Sequence, residues 1–182
     1  IDPAKIDAVR QLLDVPSAAG PEDLIARDDV DTVLVLSSMN EHSRLATAAL
    51  EAGKNVLVEK PMATSLEDAR SLLELSRRSS GVLVCAPHIL LSPTFRAMHG
   101  CARDGQIGDL LSARARYGWA GPNWNEWFYQ PGGGSLFDLG VYNVTTLCAL
   151  FGRAERVTAM VGTAIGEREV NGRLMTVEAD DN

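Results

Sequence analysis

The chain has 182 residues, 46% of them hydrophobic, which is enough apolar material for one domain core or for parts of two. Acidic residues outnumber basic ones by 24 to 17, and the net charge of -7 argues against nucleic acid or an anionic membrane as a partner. No apolar run approaches the ~18 residues that a membrane span requires. The sequence shows no signal peptide, so a cytoplasmic location is the default expectation.

Neither a metal site nor a disulfide framework is expected. The three cysteines are far apart and odd in number, and we interpret them as buried thiols in a reducing compartment. The histidines lack the spacing of metal ligands. The residues concerned are Cys85, Cys101, Cys148, His42, His88 and His99.

Helix and strand patterns alternate along the first half of the chain. The predicted helices cover 3–13, 21–27, 41–52 and 64–78, and the predicted strands cover 30–36, 55–59 and 82–86. Asp2 is the expected N-cap of the first helix. A capping box, either Thr64 with Glu67 or Ser65 with Asp68, opens the last of these helices.

This alternation predicts a parallel, doubly wound sheet, and continuous apolar strands are typical of burial on both faces of such a sheet. Ligands of these folds bind beyond the carboxyl ends of the strands. Those ends carry polar clusters at 37–40, 59–61 and 86–88, which we expect to line one crevice.

The pattern changes after Pro93 to an α+β layer, so we place a domain boundary near Ser92 and divide the chain into residues 1–91 and 92–182. The predicted helix covers 94–104, and the predicted strands cover 110–117, 156–163 and 170–179. The segment 117–129 contains all three tryptophans. We interpret it either as a core or oligomer face or as a stacking wall for a sugar or another ring-shaped polyol.

A glycine run at 132–134 precedes a second helical pattern. Apolar residues at helical spacing predict a stripe that faces a core, and they are Phe137, Val141, Val144, Cys148 and Phe151. Asp138 and Tyr142 are four residues apart and share another face of the helix. They form either the floor of a pocket or a pair of satisfied polar groups in a buried helix.

With Glu59-Lys60-Pro61, these motifs resemble those of the Gfo/Idh/MocA family of nicotinamide-dependent oxidoreductases, over essentially the whole chain. The matching elements, in the family's order, are Asp31, His42, 48–54, 59–61, 105–108 and 132–142. The resemblance implies a partial Rossmann domain followed by an incomplete α+β open-sheet domain. It further implies a pocket between them in which Lys60 faces Asp138 and Tyr142, and a cis bond between Lys60 and Pro61.

Many family members carry histidine at the position of Tyr142, whereas a subgroup similar to glucose-fructose oxidoreductase and dihydrodiol dehydrogenases carries tyrosine. The resemblance therefore implies hydride transfer between NAD or NADP and a sugar or polyol-like alcohol. Alcohol oxidation needs a base for the hydroxyl proton. A neutral phenol is a poor base, but a nearby ammonium such as that of Lys60 favours the phenolate of Tyr142.

We therefore expect Lys60, Tyr142 and Asp138 to be catalytic. The expected cofactor contacts are Ser37, Asn40, His42, Glu59, Lys60, Pro61 and His88. The expected substrate contacts are Lys60, Trp124, Asn125, Asp138 and Tyr142. For His42 and His88, capping of a helix or loop is an equally weighted alternative.

The chain contains no G-x-G-x-x-G, the phosphate-binding fingerprint of Rossmann folds. We interpret the sequence as an internal piece of a longer protein, inactive alone, in which NAD cannot be told from NADP. Two alternatives to the dehydrogenase stay open: a glycoside hydrolase of the same family that uses NAD transiently, and a non-catalytic relative. Homodimerisation of the full-length form is the family-like expectation.

Overall fold

The computed structural model describes residues 3–14, 16 and 18–182, with the backbone alone for residues 3 and 4. The helices are α1 (Pro3–Leu13), α2 (Pro21–Ile25), α3 (His42–Glu51), α4 (Leu66–Arg78), α5 (Pro93–Arg103) and α6 (Val141–Phe151). The strands are β1 (Thr32–Val35), β2 (Asn55–Val58), β3 (Leu83–Cys85), β4 (Glu167–Val170) and β5 (Arg173–Thr176). The predicted N-cap Asp2 lies outside the described residues.

The first three strands form a parallel sheet in the order β1-β2-β3, with α3 and α4 as the connections. Val35 lies opposite Val58, and Val58 lies opposite Cys85. The three carboxyl ends therefore meet at one edge of the sheet. This arrangement confirms the predicted Rossmann-type α/β class.

The core of this half lies on one face of the sheet. Alternate strand residues pack with α3 and α4 in a single cluster: Val33, Val35, Val56, Val58, Leu45, Ala46, Ala49, Leu50, Leu72 and Leu75. On the opposite face, Leu34, Leu57 and Val84 are 56%, 38% and 52% exposed. The predicted burial on both faces is therefore wrong, because both connecting helices pack on the same side.

Serine side chains set the starts of two helices. Ser65 Oγ accepts a hydrogen bond from the Asp68 amide at 3.0 Å and donates one to the Asp68 carboxylate at 2.7 Å, so Ser65 is the N-cap of α4 and Asp68 contacts its hydroxyl in place of its backbone amide. Ser92 caps α5 by accepting from the Phe95 amide at 3.1 Å. The domain boundary near Ser92 stays a prediction.

The second half has less regular structure than predicted. β4 and β5 form an antiparallel hairpin, and its turn residues Asn171 and Gly172 both have positive φ. Asn-Gly favours such a turn. The strand predicted over 170–179 is therefore interrupted by a turn, which the alternation of apolar and polar residues does not reveal. The segments 110–117 and 156–163 are not strands, since among the described residues no strand pairs with them.

Two burial predictions of the sequence analysis are also wrong. In α6, Val144 and Phe151 are 54% and 44% exposed, because little of the chain packs over that stripe. None of the three cysteines is buried; Cys85 and Cys148 are exposed and Cys101 is intermediate.

The described part of the chain contains no cluster of His, Cys, Asp or Glu side chains suited to a metal ion. None of its helices combines the length and the hydropathy that a membrane span requires.

Two neighbouring leucines of α4 test the placement of this helix. Leu72 is 1% exposed in the core and Leu73 is 45% exposed. We expect Leu72→Ala to lower the free energy of unfolding by about 2–5 kcal/mol, and Leu73→Ala to change it by less than about 0.5 kcal/mol. Urea denaturation of both variants is the measurement, and equal losses would contradict the assignment of the buried face.

Candidate active site

The glycine run fixes the entry into α6 because two of its glycines leave no room for a side chain. A Cβ on Gly133 would lie 2.4 Å from the Trp127 carbonyl oxygen, and one on Gly134 would lie 2.7 Å from that of Asp180. Gly132 and Gly134 also have φ of +83° and +90°, which favour glycine. The chain then passes through a π-helical turn, Leu136–Gly140, directly into α6.

The other wall of the site is the loop that follows β2. The bond between Lys60 and Pro61 is cis, as the family resemblance implies. The Lys60 amide donates to the Glu59 carboxylate at 2.9 Å. On the other side of Lys60, the Pro61 carbonyl oxygen lies 2.7 Å from Nδ1 of His42. His42 thus ties the backbone after Lys60 to α3, whereas the contact with Glu59 is local to the loop.

Lys60, Asp138 and Tyr142 come together where these two walls meet. The Lys60 ammonium donates to the Asp138 carboxylate and, at 2.6 Å, to the Asp138 backbone carbonyl oxygen. The Tyr142 ring centroid is 5.2 Å from the same ammonium nitrogen. The structure therefore brings the three predicted catalytic residues into one cluster across 78 positions of sequence.

What this cluster can bind depends on its burial and on the number of protons that the Lys60 ammonium can donate. The Lys60 and Asp138 side chains are 13% and 19% exposed, so water screens their attraction less than it does at the surface. An ammonium has three protons to donate. Asp138 accepts two of them, and the third can bind the oxygen of an alcohol or carbonyl placed beside the Tyr142 phenol.

A groove of about 440 Å³ runs over the exposed face of the sheet at the ends of β2 and β3 and along the segments that follow them. The ionisable residues that line the groove are Glu59, Cys85 and His88. Apolar side chains such as Leu57 and Val84 form much of the rest of the lining. Desolvation of the sulfur, together with the negative charge of Glu59, raises the pKa of the Cys85 thiol to about 11. The thiol is therefore neutral at physiological pH and is a weak nucleophile.

The strand-end clusters do not all line this groove, contrary to the prediction of a single crevice. Glu59 and the 86–88 cluster line it, whereas Ser37 lines a second groove of about 750 Å³ beside Glu22 and Arg44. A hydrogen bond from Arg44 lowers the pKa of Glu22 on that surface. Asn40 is exposed in a short turn between β1 and α3.

His42 does not line either groove. Its side chain is 1% exposed, and its two ring nitrogens contact the carbonyl oxygens of Pro61 and Ser37 at 2.7 and 3.0 Å. Of the two alternatives for this residue, the geometry supports the anchoring of a loop. His88, in contrast, is exposed at the start of a short 3-10 turn.

Part of the aromatic segment 117–129 belongs to a core, and another part of it is exposed. Phe128 and Tyr129 belong to a core cluster with Val170 and Val177. Trp124 is 65% exposed, and Asn125 is half-buried beside it. The role of Trp124 and Asn125 in substrate binding stays a prediction.

Sequence reasoning missed the residues that fix this segment. Tyr129 donates from its hydroxyl to the Pro122 carbonyl oxygen at 2.8 Å, and Arg168 of β4 donates to the Ala120 carbonyl oxygen at 2.8 Å. Leu36, Leu90 and Leu91 of the groove were also missed. The adjacency of Leu36 to a strand end was the available signal, whereas nothing local links Arg168 to Ala120.

A double-mutant cycle of Lys60→Met and Asp138→Ala tests the cluster. We expect an interaction of about 1–3 kcal/mol in the free energy of unfolding, because both groups are partly buried and directly bonded. The matched control is the exposed Arg44–Glu41 pair, for which about 0.5 kcal/mol or less is expected. Urea denaturation of the single and double variants of each pair gives the two interaction energies. Equal interaction energies would show that the Lys60–Asp138 pair is solvated.

Comparison with known proteins places this geometry in a family. Residues 1–86 match the model of the Gfo/Idh/MocA oxidoreductase family with an NAD-binding Rossmann fold, and residues 95–182 match the C-terminal domain model of the same family. The 1,5-anhydro-D-fructose reductase of Ensifer adhaerens is 32% identical over 165 residues, which are 87% of this chain and 50% of that protein. A trans-1,2-dihydrobenzene-1,2-diol dehydrogenase of Mus musculus is 30% identical over 82% of this chain and 46% of its own.

A solved structure is also similar over almost the whole chain. A levoglucosan dehydrogenase in complex with NADH and levoglucosan superposes with a TM-score of 0.88 and 26% identity, over 99% of this chain and 50% of that one. The chain thus spans about half the length of the relatives that it matches. It belongs to the Gfo/Idh/MocA family of oxidoreductases.

Proposed function

We propose that the complete gene product is an NAD(P)-dependent oxidoreductase that acts on a CH–OH group of a sugar or polyol-like alcohol. The observation that carries this proposal is the contact of Lys60 with Asp138 and Tyr142, at the edge of the sheet where ligands of this fold bind. The names of the relatives, which include a reductase of an anhydrosugar and a dehydrogenase of a diol, support the substrate class.

The described residues fit the nicotinamide end of such a cofactor. The groove at the ends of β2 and β3 has an apolar wall for a ring and two polar side chains, Glu59 and His88. We propose that these two residues, with Pro61 and the strand-end residues Ser37 and Asn40, contact the cofactor. When bound, the nicotinamide accepts or supplies the hydride.

The chain's own residues would move the proton. In the oxidative direction, the Tyr142 phenolate accepts the hydroxyl proton of the substrate, and in the reductive direction the phenol returns it. The third proton of the Lys60 ammonium binds the substrate oxygen and stabilises the charge that develops there. Asp138 orients Lys60 through its two acceptor oxygens.

Trp124 and Asn125 are the proposed substrate contacts outside this cluster. The exposed indole of Trp124 lies on a segment that the β4–β5 hairpin anchors, since the Asn171 amide donates to the Asn123 carbonyl oxygen at 2.8 Å. An exposed aromatic ring on an anchored segment suits stacking against the apolar face of a sugar ring.

A homo-oligomer of the complete gene product stays a prediction, as does its cytoplasmic location. Exposed apolar residues on the segments 110–117 and 156–163, which have no strand partner among the described residues, support a subunit interface there. Leu111, Val157 and Met160 are 90%, 82% and 95% exposed.

Steady-state kinetics of the complete gene product test the proposed reaction. Absorbance of the reduced nicotinamide is followed with NAD and NADP against aldoses, anhydrosugars, inositols and diols. We expect Tyr142→Phe and Lys60→Ala to lower kcat by about 10²–10⁴, the usual contribution of a positioned acid or base. Tyr117→Phe and Lys54→Ala are matched controls outside the cluster, with kcat expected to stay within about twofold of the parent.

Two results would contradict the proposal. If both cluster variants keep the parent kcat, neither Lys60 nor Tyr142 takes part in the chemistry. If the parent cleaves a glycoside with no net change in the cofactor, the reaction is that of a glycoside hydrolase.

A further inference from the structure

We propose that His42 is a positioning residue for Lys60, because its contact with Pro61 anchors the loop 59–61 to the start of α3. The inference rests on the proposed function only in giving Lys60 its catalytic role. His42 itself contacts neither groove and is not a catalytic residue.

The burial of His42 calls for an explanation. Its side chain is almost fully buried, at 1% exposure, next to a core of apolar residues. A buried polar group requires hydrogen-bonding partners. Two carbonyl oxygens, those of Pro61 and Ser37, lie within hydrogen-bonding distance of the ring nitrogens of His42, and a neutral imidazole donates to one of them.

The contact with Pro61 acts directly next to Lys60. Proline has no amide proton, so the backbone at this position can be anchored only through its carbonyl oxygen. His42 Nδ1 lies 2.7 Å from that oxygen, while the amide of Lys60 is anchored separately on Glu59. The position of the Lys60 ammonium at the end of its flexible side chain depends on this fixed backbone. A displacement of about 1 Å can cost about 10²-fold in rate.

The two nitrogens of His42 make distinguishable contributions. A neutral imidazole donates through one nitrogen only, whereas carbonyl oxygens accept and cannot donate. The amide nitrogen of asparagine falls near the position of Nδ1, and that of glutamine falls near the position of Nε2. His42→Asn therefore preserves a donor to Pro61, and His42→Gln preserves a donor to Ser37.

The first test compares these two variants in the complete gene product. We expect His42→Gln to lower kcat by at least about tenfold with a smaller change in KM, since the proposed substrate contacts of Trp124 and Asn125 remain while the ammonium is displaced. His42→Asn should stay within about threefold of the parent kcat. Urea denaturation shows whether each variant is folded under the assay conditions.

A readout that does not depend on turnover is the acetylation rate of individual lysines, measured by mass spectrometry. The chain has three lysines, Lys5, Lys54 and Lys60. Lys60 is 13% exposed and bonded to Asp138, so its amine should react slowly. We expect several-fold faster acetylation of Lys60 in His42→Gln and an unchanged rate in His42→Asn. Lys5 and Lys54 are the internal references.

A measurement on the parent protein stays informative even if a variant does not fold. Nitrogen-15 NMR of the histidine rings should show a slowly exchanging proton on Nδ1 of His42, because that proton is buried and bonded to Pro61. A bare Nδ1 would overturn the proposal.

The remaining outcomes separate this inference from the proposed function. Equal losses of kcat in His42→Asn and His42→Gln, with unchanged acetylation of Lys60 in both, would overturn the positioning role and leave the proposed function intact. The expected acetylation pattern together with full activity of Lys60→Ala would support the positioning role and refute the catalytic role of Lys60.

Discussion

The ion pair between Lys60 and Asp138 joins two parts of the chain that have little else in common. Lys60 belongs to a loop beyond a parallel strand, and Asp138 belongs to a helical turn that follows a glycine run. The ammonium also uses the Asp138 backbone oxygen, so the contact fixes the turn as well as the side chain. Because the pair is partly buried, its geometry costs more to disturb than that of an exposed pair such as Arg44–Glu41.

Both partners of this pair depend on constraints set elsewhere in the fold. The in-register pairing of β1, β2 and β3 brings their carboxyl ends together at one edge, and His42 at the start of α3 contacts the carbonyl oxygen of Pro61 in the segment after β2. On the opposite wall, only glycine tolerates the contact of residue 133 with the Trp127 carbonyl oxygen. The site is therefore determined by backbone geometry on both sides, and its reactive side chains are placed by elements remote from them.

The one-sided packing of the sheet explains both the groove and its apolar character. α3 and α4 cover one face, and Leu57 and Val84 on the other face are left as part of a groove that also contains Glu59 and His88. An apolar wall with few polar groups suits a planar ring better than a phosphate.

The sequence by itself determined the local elements and the identity of the reactive residues. Continuous apolar runs, the Ser65 N-cap and the glycine run are local signals, and so are the motifs at 59–61 and 138–142 that carry the family resemblance. Tertiary structure alone decided the rest. The exposure of Leu34 and Val144 depends on what packs over them, and the anchoring roles of His42 and Arg168 depend on carbonyl oxygens far away in sequence. Periodicity reports which side of an element is apolar, but burial and hydrogen bonding are properties of neighbours that only the folded chain supplies.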